Sequence, residues 1–473
     1  MSGPLVVSGW RRLAVERARP ARIREHPQAH WLIVATVCVG AFMGQLDASI
    51  VSVSLPSLQR HFGAGLSGVA WVGLAYLLVL VSGVVGLGRL SDMVGRKLVY
   101  VHGFALFTVA SALCGLAPSL GALIAFRVLQ ALGAAMMQAN SVALIAQAMP
   151  PGKLARGIGA QGAAQALGLA LGPAAGGVLV GLGGWRLIFE VNVPVGLVGG
   201  TLGWFLLPRS RDLAPRSRFD VPGLLALTAG AGSLLLALSL LARPAASLPP
   251  TLALLAAAAV WTAAFLVRER RAAAPLLDLR LFRSGRFSIG VASGLLAYLC
   301  MFGSLTTLPF LLERVERLTP GAAGLRLTAL PLALALVAPV AGRSVERLGA
   351  RRLTAAGMLV TAASLAGLAA AHGTADVVTL WLFGAGAGLG LFVPANNASA
   401  MQAAPRRQSA LAGGILNMSR GFGTALGVTG ATLVLAAGAA GPSPETIERG
   451  TAVAAAVFAA CAAAAAALAL VRR

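Results

Sequence analysis

Charge is what this chain has least of. Only 11% of its 473 residues are charged, against 58% hydrophobic, and the mean hydropathy is +0.82, values that exclude an ordinary soluble domain of this length. Cysteine is nearly as scarce: Cys38, Cys114, Cys300 and Cys461 all fall inside apolar stretches without CxxC spacing, so neither a disulfide framework nor a zinc site is indicated. No GxxxxGKS or GxxxxGKT phosphate loop occurs, which argues against direct use of ATP. The five histidines are scattered, with His102 reading as a packing residue, and no carboxylate pair or nucleophile with its base stands at a membrane face. A polytopic membrane enzyme is therefore disfavoured.

What is present is apolar sequence, in fourteen runs: 31–57, 69–87, 98–117, 120–148, 157–181, 193–207, 220–242, 250–268, 287–312, 321–341, 353–371, 377–402, 410–439 and 450–471. At roughly 1.5 Å per residue a helical run of about 20 residues crosses a hydrocarbon core of about 30 Å. The expectation is an all-α membrane protein with fourteen transmembrane helices. The first run is too long for a signal-peptide core and no small-residue cleavage site closes it, so it reads as a retained helix.

Basic residues test this arrangement. With both termini placed in the cytoplasm, 29 of the 38 Lys and Arg fall in the tails and inner loops and six in outer loops, leaving Arg127, Arg326 and Arg420 within helices. A net charge of +23 would suggest nucleic acid in a soluble protein; here it reads as topology determinants facing anionic lipid, with no nucleic-acid partner. Thirty-six arginines beside Lys97 and Lys153, with abundant alanine, suggest a G·C-rich bacterial genome and hence the bacterial plasma membrane.

Inside the first run lies Asp47, a carboxylate near the membrane midplane. Insertion there costs roughly 2.5 to 3.5 kcal/mol, so such an acid normally faces a water-filled cavity and has a task. Gly40, Gly44, Asp47, Val51 and Ser54 share its helix face, a strip that reads as a cavity wall. On the fourth helix Arg127, Gln130, Ala134, Gln138 and Ser141 share a face that aims a guanidinium at the same kind of strip. Burial and a neighbouring arginine act on a carboxylate in opposite directions, which could poise Asp47 to bind and release a proton. The alternative is that Arg127 only ties its helix to backbone carbonyls.

An internal repeat organises the whole. Gly88, Arg89, Asp92, Gly95 and Lys97 recur in type and spacing as Gly342, Arg343, Glu346, Gly349 and Arg351. Two six-helix halves, 31–207 and 287–473, are therefore expected, preceded by a basic tail at 1–30 and separated by two inserted helices with their loops at 208–286. Such repeats mark transporters that rock two bundles about a central site.

The loop GRLSDMVGRK resembles the signature after the second helix of the major facilitator superfamily. LDASIVSVSLP (Leu46 to Pro56), the segment from Arg127 to Gly133, Gly168-Leu-Ala-Leu-Gly172-Pro173-Ala-Ala-Gly176-Gly177 and WRLIFEVNVPVG from Trp185 resemble motifs of its fourteen-helix drug:proton antiporter family, with Ser52 where asparagine is more usual. The resemblance covers nearly the whole chain and implies the major facilitator fold. It also implies exchange of inward-moving protons for an outward-moving small molecule, with Asp47 and Arg127 in proton coupling and the proton gradient, rather than a cofactor, as energy source. Gly88, Asp92, Gly95 and Arg96 would form a conformational switch, Asp92 meeting the N-terminal end of the helix that starts near Ala410; by the repeat, Glu346 is expected to do likewise at the helix starting near Gly157.

On the fifth helix Gln161, Gln165, Gly168, Gly172 and Gly176 share a face where another helix can approach closely, and Pro173 adds a kink. A seal on the outer side that opens in one state follows, with static packing as the alternative. Asn396 and Asn397 on the twelfth helix, and Asn417, Arg420, Thr424 and Gly427 on the thirteenth, are expected to line the cavity, though asparagines also serve as interhelical hydrogen-bond partners. Glu190 and Glu313, at outer helix ends, read as solvated. If Arg127, Arg326 and Arg420 all face the cavity against one carboxylate, dications are repelled and neutral or acidic amphiphiles favoured. An uptake permease or uncoupled facilitator remains the alternative within transport.

Overall fold

The structure, a computed structural model, describes residues 20, 28–150, 154–210, 220–241, 248–272, 276–277, 279–370, 374–404, 409–438 and 443–471. Most of the arginine-rich tail lies outside the described residues. So do the side chains of Arg89, Asp92, Arg343 and Glu346, on which the expected loop contacts rest.

A lipid core supplies no partner for a bare peptide group, so the chain satisfies its backbone in helices. In order these are α1 (Ala29–Phe62), α2 (Leu66–Val94), α3 (Arg96–Gly115), α4 (Leu120–Ala148), α5 (Leu154–Gly183), α6 (Asn192–Leu206), α7 (Val221–Leu241), α8 (Leu248–Arg271), α9 (Gly285–Phe310), α10 (Ala329–Leu348), α11 (Ala350–Ala370), α12 (Ala375–Gln402), α13 (Ser409–Gly438) and α14 (Pro444–Val471). Among the described residues thirteen stretches are long and apolar enough to cross a membrane, and α13, 30 residues long, completes the expected set. Short elements adjust the ends: a helical turn Leu187–Glu190 precedes α6, a π-helical turn Leu311–Val315 extends α9, and a short helix Pro320–Leu327 precedes α10. That last helix is capped by Thr319, whose hydroxyl accepts from the Ala322 N–H, with Pro320 in the first turn.

The repeat is built into the backbone. Gly95 and Gly349 close α2 and α10 with φ of 123° and 81°, values that favour glycine, and each N–H donates back to the carbonyl four residues earlier, on Ser91 and Val345. Helix pairing repeats as well: α1 packs on α5 as α9 does on α13, α3 on α4 as α11 on α12, and α2 on α4 as α10 on α12. The close approaches match too. Gly103 and Gly133 seat α3 against α4, while Gly357 and Gly388 seat α11 against α12, each glycine facing the partner's backbone. The two six-helix bundles meet along α2 with α13 and along α5 with α10 and the short helix before it, a pairing that exchanges under the repeat.

The inserted helices sit apart. α7 lies on the seam, touching α2 and α13, and α8 packs on α7 with most of its surface outward. Their ends are pinned: Asp220 accepts from the Gly223 N–H and pairs with Arg268 at 3.0 Å, and Glu269 accepts from the Leu277 N–H at 2.7 Å. Consecutive membrane helices alternate in direction, so the described basic residues Arg96, Arg209, Arg268, Arg271, Arg347 and Arg351, at helix ends, fall at one end of the molecule, the basic end.

Candidate functional site

Asp47, on α1, is fully buried, and its carboxylate accepts from α4 and α6, so three helices meet on it. The Arg127 guanidinium donates to Oδ2 at 2.6 Å, while Gln130 Nε2 and Asn192 Nδ2 each donate to Oδ1 at 3.0 Å. Arg127 is 1% exposed and donates also to the Gln130 amide oxygen and, through Nε, to the Val72 carbonyl at 2.9 Å. Its planar face lies 4.1 Å from the centre of the Tyr76 ring and 5.5 Å from that of Phe189. Gln130 donates in turn to Ser111 on α3 at 2.8 Å. α1, α2, α3, α4 and α6 thus converge on one ion pair whose donors and acceptors are matched, the condition under which a buried pair is tolerated.

α5 holds α1 in this position. A Cβ at Gly168 would meet the Phe42 carbonyl, one at Gly172 the Ser49 hydroxyl, and one at Gly176 the Ile50 side chain, so the two helices touch backbone to backbone. All of these contacts, at Gly168, Gly172 and Gly176, lie within the first bundle. The seam between bundles begins one residue later. Gly177 faces the Pro320 carbonyl and Gly324, and Gly324 faces the Pro173 carbonyl.

Between the bundles lies a cavity of about 540 Å³, in the middle and the basic half of the molecule. The first bundle lines it with Gly44, Gln45, Ala48, Gln138 and Gln165, the second with Tyr298, Phe302, Asn397, Asn417, Arg420 and Thr424. At the opposite end the bundles are joined by Gly177 on Gly324, by Arg60 paired with Glu313 at 3.4 Å, and by Arg314 donating to Gln59 at 2.6 Å. Two small cavities flank the large one. One of about 30 Å³ touches Arg127 and Tyr76 and shares Ala48, Leu77, Phe302 and Thr424 with the large cavity. The other, of about 20 Å³, is lined by Tyr76 and Gln161 and shares Gly44, Gln45, Gln138 and Gln165.

Several expectations change. Asp47 is not on the cavity wall but behind it, with Gly44 and Ala48 forming the wall on either side. Gln130 belongs to the ion-pair network, and Gln161 donates to Ser141 at 2.8 Å beside the smallest cavity. Asn396 donates to the Gly290 carbonyl at 2.8 Å and ties α12 to α9, the interhelical alternative. Gln138, Gln165, Asn397, Asn417 and Arg420 do line the large cavity. Arg326 faces Asp376 at 2.6 Å and Thr379, away from it, so the three-cation cavity does not exist. Glu313 is 4% exposed and paired rather than solvated, whereas Glu190 is exposed as expected.

Ser111, Tyr76 and Tyr298 were not singled out from the sequence, and Phe189 and Asn192 stood there only as members of the WRLIFEVNVPVG segment, without a role. A signal existed for the tyrosines, since the chain has three, at 76, 100 and 298, and for Asn192, which stands one residue before the apolar run 193–207.

Two bundles related by a repeat, with a central cavity between them and a buried ion pair beside it, are the architecture of a membrane transporter. The chain belongs to the major facilitator superfamily, whose model matches residues 37–317 and again 290–473. It is 31% identical over 401 residues to the riboflavin transporter RibZ of Clostridioides difficile (strain 630), covering 84% of this chain and 86% of that one. To the tetracenomycin C resistance and export protein of Streptomyces glaucescens it is 35% identical over 402 residues, covering 84% and 74%. Among solved structures, a bacterial homologue of the human lysosomal transporter Spinster, in its inward-facing and occupied conformation, superposes with a TM-score of 0.70 at 15% identity, over 94% of this chain and 97% of that one, a likeness of fold.

Proposed function

We propose that the chain is a proton-coupled exporter that carries small amphiphilic molecules out of the cell by alternating access. The reading rests on one observation: a titratable acid, Asp47, is buried against a permanent cation, Arg127, directly behind a cavity of substrate size that both bundles line. The basic end is taken as cytoplasmic, with both termini there, so the cavity of this structure is the inward-facing one. Arg127 cannot give up its charge, so the attraction that gathers five helices is relieved only when Asp47 takes a proton. Proton uptake from the outer side would loosen the network inside the first bundle, and proton release inward would restore the packing of that bundle seen here. The proton gradient is the energy source in this scheme, and no cofactor takes part.

A likeness to a protein named as an exporter supports the outward direction, and a likeness to one named as a riboflavin transporter supports a second reading, a permease for uptake or without coupling. A susceptibility panel in an efflux-deficient bacterial host separates them. Export predicts raised tolerance to at least one compound with the wild-type chain and none with Asp47→Asn at equal membrane abundance. Equal tolerance from the two would reject the coupling role of Asp47, and uptake would make the host more sensitive.

A further inference from the structure

The large cavity has a definite charge. Among its described lining residues Arg420 is the one ionised side chain, since no Asp or Glu borders it and the Asp47–Arg127 pair behind the wall is neutral in sum. Among the described residues Arg420 has no carboxylate partner. One N–H of its guanidinium donates to Asn417 Oδ1 at 3.1 Å, which orients the group and leaves the rest of its donor fork facing the space. The guanidinium also lies 5.5 Å from the centre of the Tyr298 ring, and that ring stacks on Phe302 at 6.4 Å with 19° between their planes. Across the cavity the first bundle offers the amides of Gln45, Gln138 and Gln165, which can pair with either hydroxyl or carbonyl groups.

We propose that Arg420, oriented by Asn417, is an anion subsite and that the molecule carried is a flat aromatic or conjugated amphiphile bearing one negative charge, such as a carboxylate, sulfonate, phenolate or enolate. An unpaired cation walled by low-dielectric protein is felt across the whole cavity, so the same charge that attracts an anion excludes a dication. The Tyr298–Phe302 wall receives the ring, and the facing amides match the oxygens such molecules carry. This inference rests on the reading of the cavity as the substrate chamber, and it deepens that reading by naming the substrate class.

The test is binding without any gradient, to protein in lipid nanodiscs, of three probes that share one ring system: anthraquinone-2-sulfonate, anthraquinone-2-carboxamide and an anthraquinone bearing a 2-(trimethylammonio)methyl group. The wild-type chain is expected to bind the sulfonate at least about tenfold more tightly than the ammonium probe. Arg420→Gln is expected to weaken the sulfonate about tenfold while leaving the carboxamide within about twofold, which doubles as the folding control. Arg420→Lys should keep part of the preference, since the charge remains without the planar fork. Equal binding of sulfonate and ammonium probes by the wild type, no binding of any of the three, or an unchanged sulfonate affinity in Arg420→Gln would overturn the proposal. Because no proton gradient is present, Arg420-dependent binding without proton flux in vesicles would count against coupling alone.

Discussion

Asp47 and Arg127 sit where an isolated ion costs most, and the network around them sets what each substitution does. Asp47→Asn keeps shape and two amide contacts but leaves the guanidinium without its counter-charge. It is expected to reach the membrane and to lose active transport, checked by immunoblot of membranes and by efflux from loaded cells. Arg127→Ala strands the carboxylate instead, and breaking a buried pair from one side costs about 3 to 5 kcal/mol. That variant is expected to lower the thermal midpoint of the detergent-purified protein, which Asp47→Asn should lower less. Asn192→Leu removes a donor from Oδ1 and should impair efflux while sparing abundance. Both ionic partners were legible in the sequence, because a charge in a long apolar run is conspicuous. Ser111 and Tyr76 were not, because Ser111 joins through a hydrogen bond to Gln130 and Tyr76 through its ring against Arg127, contacts chosen by tertiary packing and not by helical spacing.

At the scale of elements, the glycine strip of α5 was legible as a face on which another helix lies, but sequence spacing does not say which helix. The structure divides it. Gly172 is closed by Ser49 of the same bundle, and Gly177 by Pro320 and Gly324 of the other. Gly172→Leu is therefore expected to wedge α1 from α5 and lower thermal stability along with transport. Gly177→Leu should leave stability nearer to wild type and instead hold the far end of the seam apart. Labelling of a cysteine placed at Gln59 by a membrane-impermeant maleimide reads this directly: faster labelling in the Gly177→Leu background is expected, and an unchanged rate would contradict a seal at Gly177. Gly181→Ala, with nothing within 4 Å of the new methyl, serves as the neutral control.

For the whole molecule, the two-bundle plan could be read from five repeated loop positions because the repeat fixes backbone geometry, as the matched glycine turns at Gly95 and Gly349 show. The cavity's charge could not be read, because Arg326 and Arg420 look alike in sequence and only packing turns one toward Asp376 and the other inward. The Arg60–Glu313 and Gln59–Arg314 contacts join the bundles at the end away from the cavity. Cysteines placed at 60 and 313, in a background lacking the four native cysteines and bridged by a bis-methanethiosulfonate cross-linker that spans the lost side-chain lengths, are expected to arrest efflux reversibly, and reductant should restore it. Efflux that continues in the cross-linked protein would mean that this end need not open. The coupling claim itself is tested most directly by proton movement in everted membrane vesicles energised by respiration. Adding a compound to which the chain confers tolerance should partly collapse the pH gradient with the wild type and leave it intact with Asp47→Asn. A collapse of equal size in both would contradict the account.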